Sequence, residues 1–295
     1  MVGWLIYSIQ DVEKNKHYIQ FYAEEGKLLD MDIRLILIED FKFGIWDNKW
    51  FMAYKGEAVK YPDFAICRTI YPLFNKQLEY MGIPVFNNSH IAEICNDKAK
   101  TCQYVAQSGI PMVDTTFLRN SLLAKELEAI TGPTVIKTVA GHGGNQVYLF
   151  EPRESTSVEQ NENPIYDGLN GSDIVLQPLM GSRHQDLRVY AIGKEIVGSV
   201  LRTAREGFKS NFSLGGEVRE YDLSPDEILL VKKIIQLFDI GMVGIDFIIG
   251  DKGELIFNEI EDVVGARMLY QCTDINLVRL YLKYIMTRIS PARLT

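Results

Sequence analysis

Three carboxylates toward the C-terminal end are the residues best placed to do chemistry: Asp246, Glu259 and Glu261. They lie on two apolar runs, residues 243–249 and 254–260, parted by Gly250-Asp251-Lys252-Gly253, which reads as a β-hairpin. Glu259 and Glu261 are two apart, so on a strand both point to one face. Symmetric closure sets Phe257 opposite Asp246 and Gly244 opposite Glu259, and all three acids then share that face. Acids crowded among Ile, Phe and Val are costly unless a cation neutralises them. Hard oxygen ligands suit magnesium, which takes a few carboxylates together with substrate phosphates. Taken alone, the hairpin reads equally as a solvated pair of strands with ordinary surface acids.

Three upstream segments carry complementary groups. Lys137 ends a β-like run and leads into Gly141-His142-Gly143-Gly144. An ammonium beside flexible glycine backbone can cradle phosphates. No Gly-Lys-Ser/Thr closes the loop and a strand follows it, so it is not a Walker motif. The run Val175-Leu176-Gln177-Pro178-Leu179-Met180 is a strand entering a loop, a place where a purine finds a carbonyl and an N–H. Pro178 has no N–H, so the donor is Leu179 or Met180. Asp186, Arg188 and Arg202 flank a hairpin about Gly193-Lys194, and Arg205, Lys209 and Asn211 follow in a glycine-containing loop. Guanidinium forks suit phosphates and carboxylates. Each segment has a plain alternative: a glycine hairpin, a buried strand end, a solvated charged hairpin.

The elements that must position these groups are legible in part. Residues 1–87 alternate in the α/β manner, with strands at Val2–Tyr7, 32–38, Phe64–Cys67 and 84–86, and helices at 12–29 and 75–81. Such doubly wound modules place ligands beyond strand carboxyl ends, where Arg68 stands. Helices follow at Ser89–Cys95 and 97–107, the second with Asn96 as its candidate N-cap. Residues 134–138 and Val147–Phe150 are strands about the glycine loop, and 173–177 is a buried strand. Residues 152–170 form a polar surface excursion. Ser224-Pro225-Asp226-Glu227 is a strong helix start with a capping box, and a last helix covers 275–288.

Composition narrows the classes. The chain has 295 residues, 47% hydrophobic and 24% charged, with net charge -8. That is an ordinary globular balance, without a general electrostatic grip on nucleic acid or an anionic membrane. Cys67, Cys95, Cys102 and Cys272 show no CxxC spacing and the histidines are scattered, which fits a reducing compartment and the cytoplasm. No apolar run reaches a membrane span. Gly-x-Ser-x-Gly, His-Glu-x-x-His and Gly-x-Gly-x-x-Gly are all absent, so hydrolase-triad, zincin and dinucleotide readings have no support.

The order of these pieces resembles the ATP-grasp superfamily, specifically its RimK-like branch, which includes ribosomal-protein glutamate ligases. The resemblance rests on Asp97-Lys98, Gly109-Ile110-Pro111, Val135-Ile136-Lys137 before the glycine loop, and Asp186-Leu187-Arg188-Val189. It continues through Arg202 to Gly207, Lys209-Ser210-Asn211, Gly215-Gly216, Val243-Gly244-Ile245-Asp246 and Asn258-Glu259-Ile260-Glu261. It implies an ATP-grasp fold of mixed α/β and α+β class. The parts would be a pre-ATP-grasp α/β domain (1–87), an N-terminal subdomain with the glycine loop (88–172) and a C-terminal subdomain with the metal site (173–295).

Function and roles follow from the same likeness: an ATP-dependent carboxylate–amine ligase working through an acyl phosphate, using ATP and two Mg2+ ions. Lys98, Lys137, Gly141, Gly143, Gly144, Lys209 and Asn211 would meet the nucleotide, Gln177, Pro178, Leu179 and Met180 the adenine, and Asp186 the ribose side. Asp246, Glu259 and Glu261 would hold the ions, and Arg202 would stabilise the transferring phosphoryl group. Arg68, Arg188, Arg205 and Arg267 are candidates for a substrate carboxylate, each equally readable as a structural ion pair. The implied partners are an amino acid and a peptide, protein or small-molecule acceptor; a homo-oligomer is compatible. Two positions depart from the pattern, Glu261 where Asn is common and Pro178 where an acid is common. A nucleotide-binding protein without ligase activity, and a kinase stopping at phosphate transfer, are the competing readings.

Overall fold

The computed structural model describes residues 1–141, 146–152, 168–169, 171–204 and 217–289. Its first sheet is parallel throughout, in the spatial order Asp32–Leu37, Val2–Tyr7, Phe64–Cys67, Val85–Phe86. Val2–Tyr7, Phe64–Cys67 and Val85–Phe86 read as apolar runs because helices and the rest of the chain cover them, while the edge strand Asp32–Leu37 exposes Asp32 and Arg34. The expected helix at 12–29 divides into a single turn, Ile9–Val12, and a helix, Lys16–Leu28. The helix expected at 75–81 starts earlier, at Pro72 in its first position, and spans Pro72–Tyr80.

A three-stranded antiparallel sheet, Phe41–Trp46, Lys49–Tyr54 and Glu57–Ala58, is set into this module. Asp47 and Asn48 both take positive φ (48° and 57°) at its first turn, the geometry that matches the twist of a tight hairpin.

The second sheet runs Val147–Phe150, Thr134–Thr138, Ile174–Pro178, Thr116–Leu118. The strand Ile174–Pro178 thus bonds to the Lys137 strand, so this sheet runs across the expected division at 172/173. The third sheet is antiparallel, in the order Glu217–Glu220, Glu195–Thr203, Gln185–Ile192, Met242–Ile249, Leu255–Glu261.

The third sheet has two different faces. Leu187, Val189, Val243, Ile245 and Phe247 point into a core with Val231, Ile234 and Ile235 of the helix Pro225–Gln236. Tyr190 and Ile192, on the other face, pack with Leu277, Val278 and Tyr281 of the last helix, Leu277–Ile289, and with Leu5, Tyr7 and Tyr22 of the first module. By the strand period, Arg188 shares the Tyr190 face. One face is therefore largely apolar at its centre, while the other begins with charge and ends in core.

The helix Pro225–Gln236 begins as its sequence demands. Ser224 Oγ accepts from the Glu227 N–H, Glu227 Oε2 accepts from the Ser224 N–H at 2.7 Å, and Pro225 takes the first position. This helix covers the apolar face alone, so its cap reports on stability apart from the charged face. Ser224→Ala should lower unfolding free energy by about 1 kcal/mol, read by urea denaturation, with nucleotide affinity unchanged.

Candidate active site

The hairpin carrying the three acids does not close symmetrically. Phe247 pairs with Phe257, then a bulge intervenes, and Asp246 pairs with Glu259 and Gly244 with Glu261. The expected pairs Asp246–Phe257 and Gly244–Glu259 are therefore replaced. The extra residue is Asn258. It lets Phe257 pack against Phe247 in the core (ring centroids 6.2 Å apart) while Glu259 takes the face of Asp246. A bulge re-aims side chains in this way. The three acids do share one face, by a different register.

Asp246 is buried and bound twice over. Arg188, directly opposite on the neighbouring strand, grips it with Nε to Oδ1 and Nη2 to Oδ2, both at 2.7 Å. Arg202 Nη2 donates to Oδ2 at 2.8 Å, and Arg202 Nε donates to Asp186, the residue opposite it. Arg188 Nη1 also contacts Glu261. It reaches that far because Gly244 lies between: a Cβ there would meet Arg188 Cδ at 3.2 Å and Val264 Cγ2 at 2.7 Å.

Burial alone would raise the Asp246 pKa, but the two guanidinium groups outweigh it and hold the carboxyl well below the usual carboxylate range. At Glu259 burial is likewise overcome, by Lys98, and the pKa falls. At Glu261 burial wins over Arg188, and the carboxyl is pushed up.

The other side of the site comes from the second sheet and the helix Lys98–Ala106. Lys137 Nζ donates to Asn258 Oδ1 at 2.9 Å, and burial lowers the lysine's pKa. Lys98 Nζ lies 3.3 Å from Glu259 Oε2 and donates to the Gly141 carbonyl. The Lys98 N–H donates to Val139 O at 2.9 Å. Asp97, one residue after the expected Asn96, caps the helix through its side chain on the Lys100 N–H. Asn96 bonds instead to Ala92 O and to Asp262 Oδ2. Lysines from one sheet and helix thus meet acids from another at a single place.

A model of the RimK-like ATP-grasp domain matches residues 95–285. The chain belongs to this family. A probable alpha-L-glutamate ligase of Legionella pneumophila is 28% identical over 239 residues, covering 80% of this chain and 75% of that protein. An uncharacterized protein of Mycoplasma pneumoniae is 26% identical over 285 residues, covering 96% and 92%. The fold is similar to the D-alanyl-alanine synthetase A of Vibrio cholerae, with TM-score 0.70 at 16% identity and 98% coverage of both chains. The chain is an ATP-grasp ligase of the ADP-forming, carbon–nitrogen class, and its family uses ATP and Mg2+.

Within this ATP-grasp frame, the described residues hold the following groups. Gln177 is buried and donates to Thr115 Oγ1 at 2.9 Å, a partner that sequence spacing did not reveal. The Leu179 N–H donates to Pro133 O at 2.9 Å, so of the two expected adenine donors only Met180 stays open. Arg188 is engaged with Asp246 and Glu261, the ion pair that is one of its two readings, and it orders the acids. Arg267 is exposed at the start of the helix Arg267–Cys272 and joins no described ion pair. Gly143, Gly144, Arg205, Lys209 and Asn211 lie outside the described residues.

Among the described residues, no three His, Cys, Asp or Glu side chains already form a metal cage. The donors at Asp246, Glu259 and Glu261 are all carboxylate oxygens. That chemistry fits a hard cation completed by water and nucleotide phosphates better than one enclosed by protein. Breaking the central pair should be costly: Arg188→Gln should lose about 3–5 kcal/mol of unfolding free energy, measured in urea, several times the cost of removing the Ser224 cap.

Proposed function

We propose that this ligase activates a substrate carboxylate as an acyl phosphate and passes it to an amine, with glutamate as one substrate and a peptide, protein or small molecule as the other. One observation carries the reading. Lys98 and Lys137 reach Glu259 and Asn258 from across the site, next to Asp246 held by Arg188 and Arg202. The glutamate assignment is supported by relatives described as probable alpha-L-glutamate ligases.

Lys98 and Lys137 bind the nucleotide phosphates, and Gln177, Met180 and the backbone about Pro178 line the adenine side. Asp186 takes the Nε donor of Arg202 and Asp246 one Nη2 donor, which leaves three of the five guanidinium donors for the transferring phosphoryl group and the acyl phosphate. Asp246, Glu259 and Glu261 would hold magnesium, which when bound would supply charge neutralisation beside the phosphates. Among the described residues the site is formally balanced: Asp186, Asp246, Glu259 and Glu261 against Lys98, Lys137, Arg188 and Arg202. Two divalent ions would match the four negative charges of one fully ionised ATP. The glycine loop from Gly141, with Gly143 and Gly144, excludes water from the acyl phosphate.

No helix among the described residues is long and apolar enough to cross a membrane, and all four cysteines are free. Both fit our assignment of the reaction to the cytoplasm.

The test is ADP release from Mg–ATP against amino acids and dipeptides, with products identified by mass. An amide product is expected; a phosphorylated acid alone would make the protein a kinase, and ATP binding without ADP release would defeat both. Glu259→Ala should cut turnover by about 100-fold or more with the melting temperature little changed. Near-normal turnover in that variant would sink the metal assignment.

A further inference from the structure

Arg68 has no role in the network above, yet it is 6% exposed. No carboxylate among the described residues forms an ion pair with it. Its Nε faces the Tyr7 hydroxyl at 3.4 Å, its Nη2 donates to Val264 O at 2.8 Å, and its guanidinium lies over the Tyr18 ring, 5.3 Å from the centroid. Two bonds leave three N–H donors on a buried positive charge that has no carboxylate within ion-pair distance among the described residues, the charge of Asp262 acting on it from further off.

Beside it stand two further orphans. The hydroxyls of Tyr18 and Tyr22 are buried and, among the described residues, find no partner of good hydrogen-bond geometry; their polar neighbours are each other and Tyr270, and their rings meet edge to face at 5.1 Å. Tyr22 is fully buried. Buried hydroxyls are nearly always satisfied, and these two flank a buried guanidinium that forms no ion pair among the described residues.

The place in the fold is telling. In the parallel sheet, Val2–Tyr7 is followed in sequence by the strand on one side of it, Asp32–Leu37, and later by the strand on the other, Phe64–Cys67. The order reverses between the strands ending at Tyr7 and Cys67, and ligands of such sheets bind at that reversal, beyond the carboxyl ends. Arg68 and Tyr7 are the residues found there. Val264, which Arg68 holds, is three residues past Glu261, roughly 10 Å of extended chain. Gly265, the next residue, is exposed, and a Cβ there would meet no described atom within 4 Å.

We propose that Arg68, with the hydroxyls of Tyr18 and Tyr22, holds a substrate carboxylate other than the one that is activated, so that one substrate is a dicarboxylic amino acid or a peptide ending in one. The inference rests on the ligase reading. A carboxylate is an acceptor-only anion with about four lone-pair sites; it uses the spare N–H groups and the two phenol O–H groups together, and pairs the guanidinium directly. Water would satisfy the hydroxyls but not the charge.

The experiment is calorimetric titration of the full chain, loaded with Mg and a non-hydrolysable ATP analogue, with L-glutamate, L-glutamine and L-isoglutamine as probes. Arg68→Gln should weaken L-glutamate binding ten-fold or more, and Tyr22→Phe several-fold, with nucleotide affinity unchanged. The amide that replaces the held carboxylate should bind weakly to the wild type and be indifferent to both variants.

Tyr22→Phe is decisive if Arg68→Gln misfolds. Deleting an unsatisfied hydroxyl is neutral or stabilising in a purely structural cluster, so unchanged L-glutamate binding in that variant would overturn the proposal. So would failure of L-glutamate to bind the wild-type chain. In turnover, the substrate whose KM rises tells whether the acid or the amine partner supplies the carboxylate. Failure of the ligase reading shows in the wild type as no ADP release; failure of this inference shows as variants that turn over with the wild-type KM.

Discussion

The bidentate pair between Arg188 and Asp246 is the contact on which the rest of the charged face depends. A carboxylate lodged in the middle of a sheet would cost several kcal/mol if unpaired. Asp246 remains ionised only because Arg188 and Arg202 offset its burial. That requires three strands in fixed register: Arg202 opposite Asp186, and Arg188 opposite Asp246. A slip of one residue in either pairing would carry a charge into the core that packs against the helix Pro225–Gln236. The apolar face and the ion pairs therefore enforce the same register, and neither can relax without the other.

The bulge at Asn258 belongs to the same constraint. Phe257 must stay in the core with Phe247, while Glu259 must stand beside Asp246. A regular strand already puts residues 257, 259 and 261 on one face, so it would bring Phe257 out with the acids or bury the acids with Phe257. One inserted residue removes the conflict. It also presents Asn258 to Lys137, so the device that sorts the two faces supplies the contact joining the second sheet to the third.

These relations explain what the sequence could and could not convey. The acids, Lys137, the arginine hairpin and the capping box at Ser224 were legible because each rests on local spacing or residue type. The bulge was not, because nothing near Asn258 marks it; only the competing demands of Phe257 and Glu259 create it. The place of Ile174–Pro178 in the second sheet was hidden for a similar reason, since strand partners are non-local. The hairpin at Phe41–Trp46 and Lys49–Tyr54 did carry a signal, Asp47-Asn48 between apolar runs, which the α/β alternation on either side obscured. Arg68 was found from its strand end, but its tyrosine neighbours come from the distant helix Lys16–Leu28.

One buried node ties the site to the first module. Asp262 follows Glu261 directly and is 5% exposed. Its side chain receives Asn87, at the end of the first module, and Asn96, two residues before Lys98. Asn87 in turn accepts from the N–H groups of Gly241 and Met242 at 2.6 and 2.9 Å, where the Asp246 strand begins. Burial pushes the Asp262 carboxyl up, and its two amide partners favour the charged form without adding a charge to the site. The segment between Asp246 and Glu261 is thus clamped at both ends by Asn87, and through Asn96 to the helix that delivers Lys98. A shift of the first module cannot leave Glu259 and Lys98 where they are, so whatever Arg68 holds is mechanically linked to the place where phosphate would transfer.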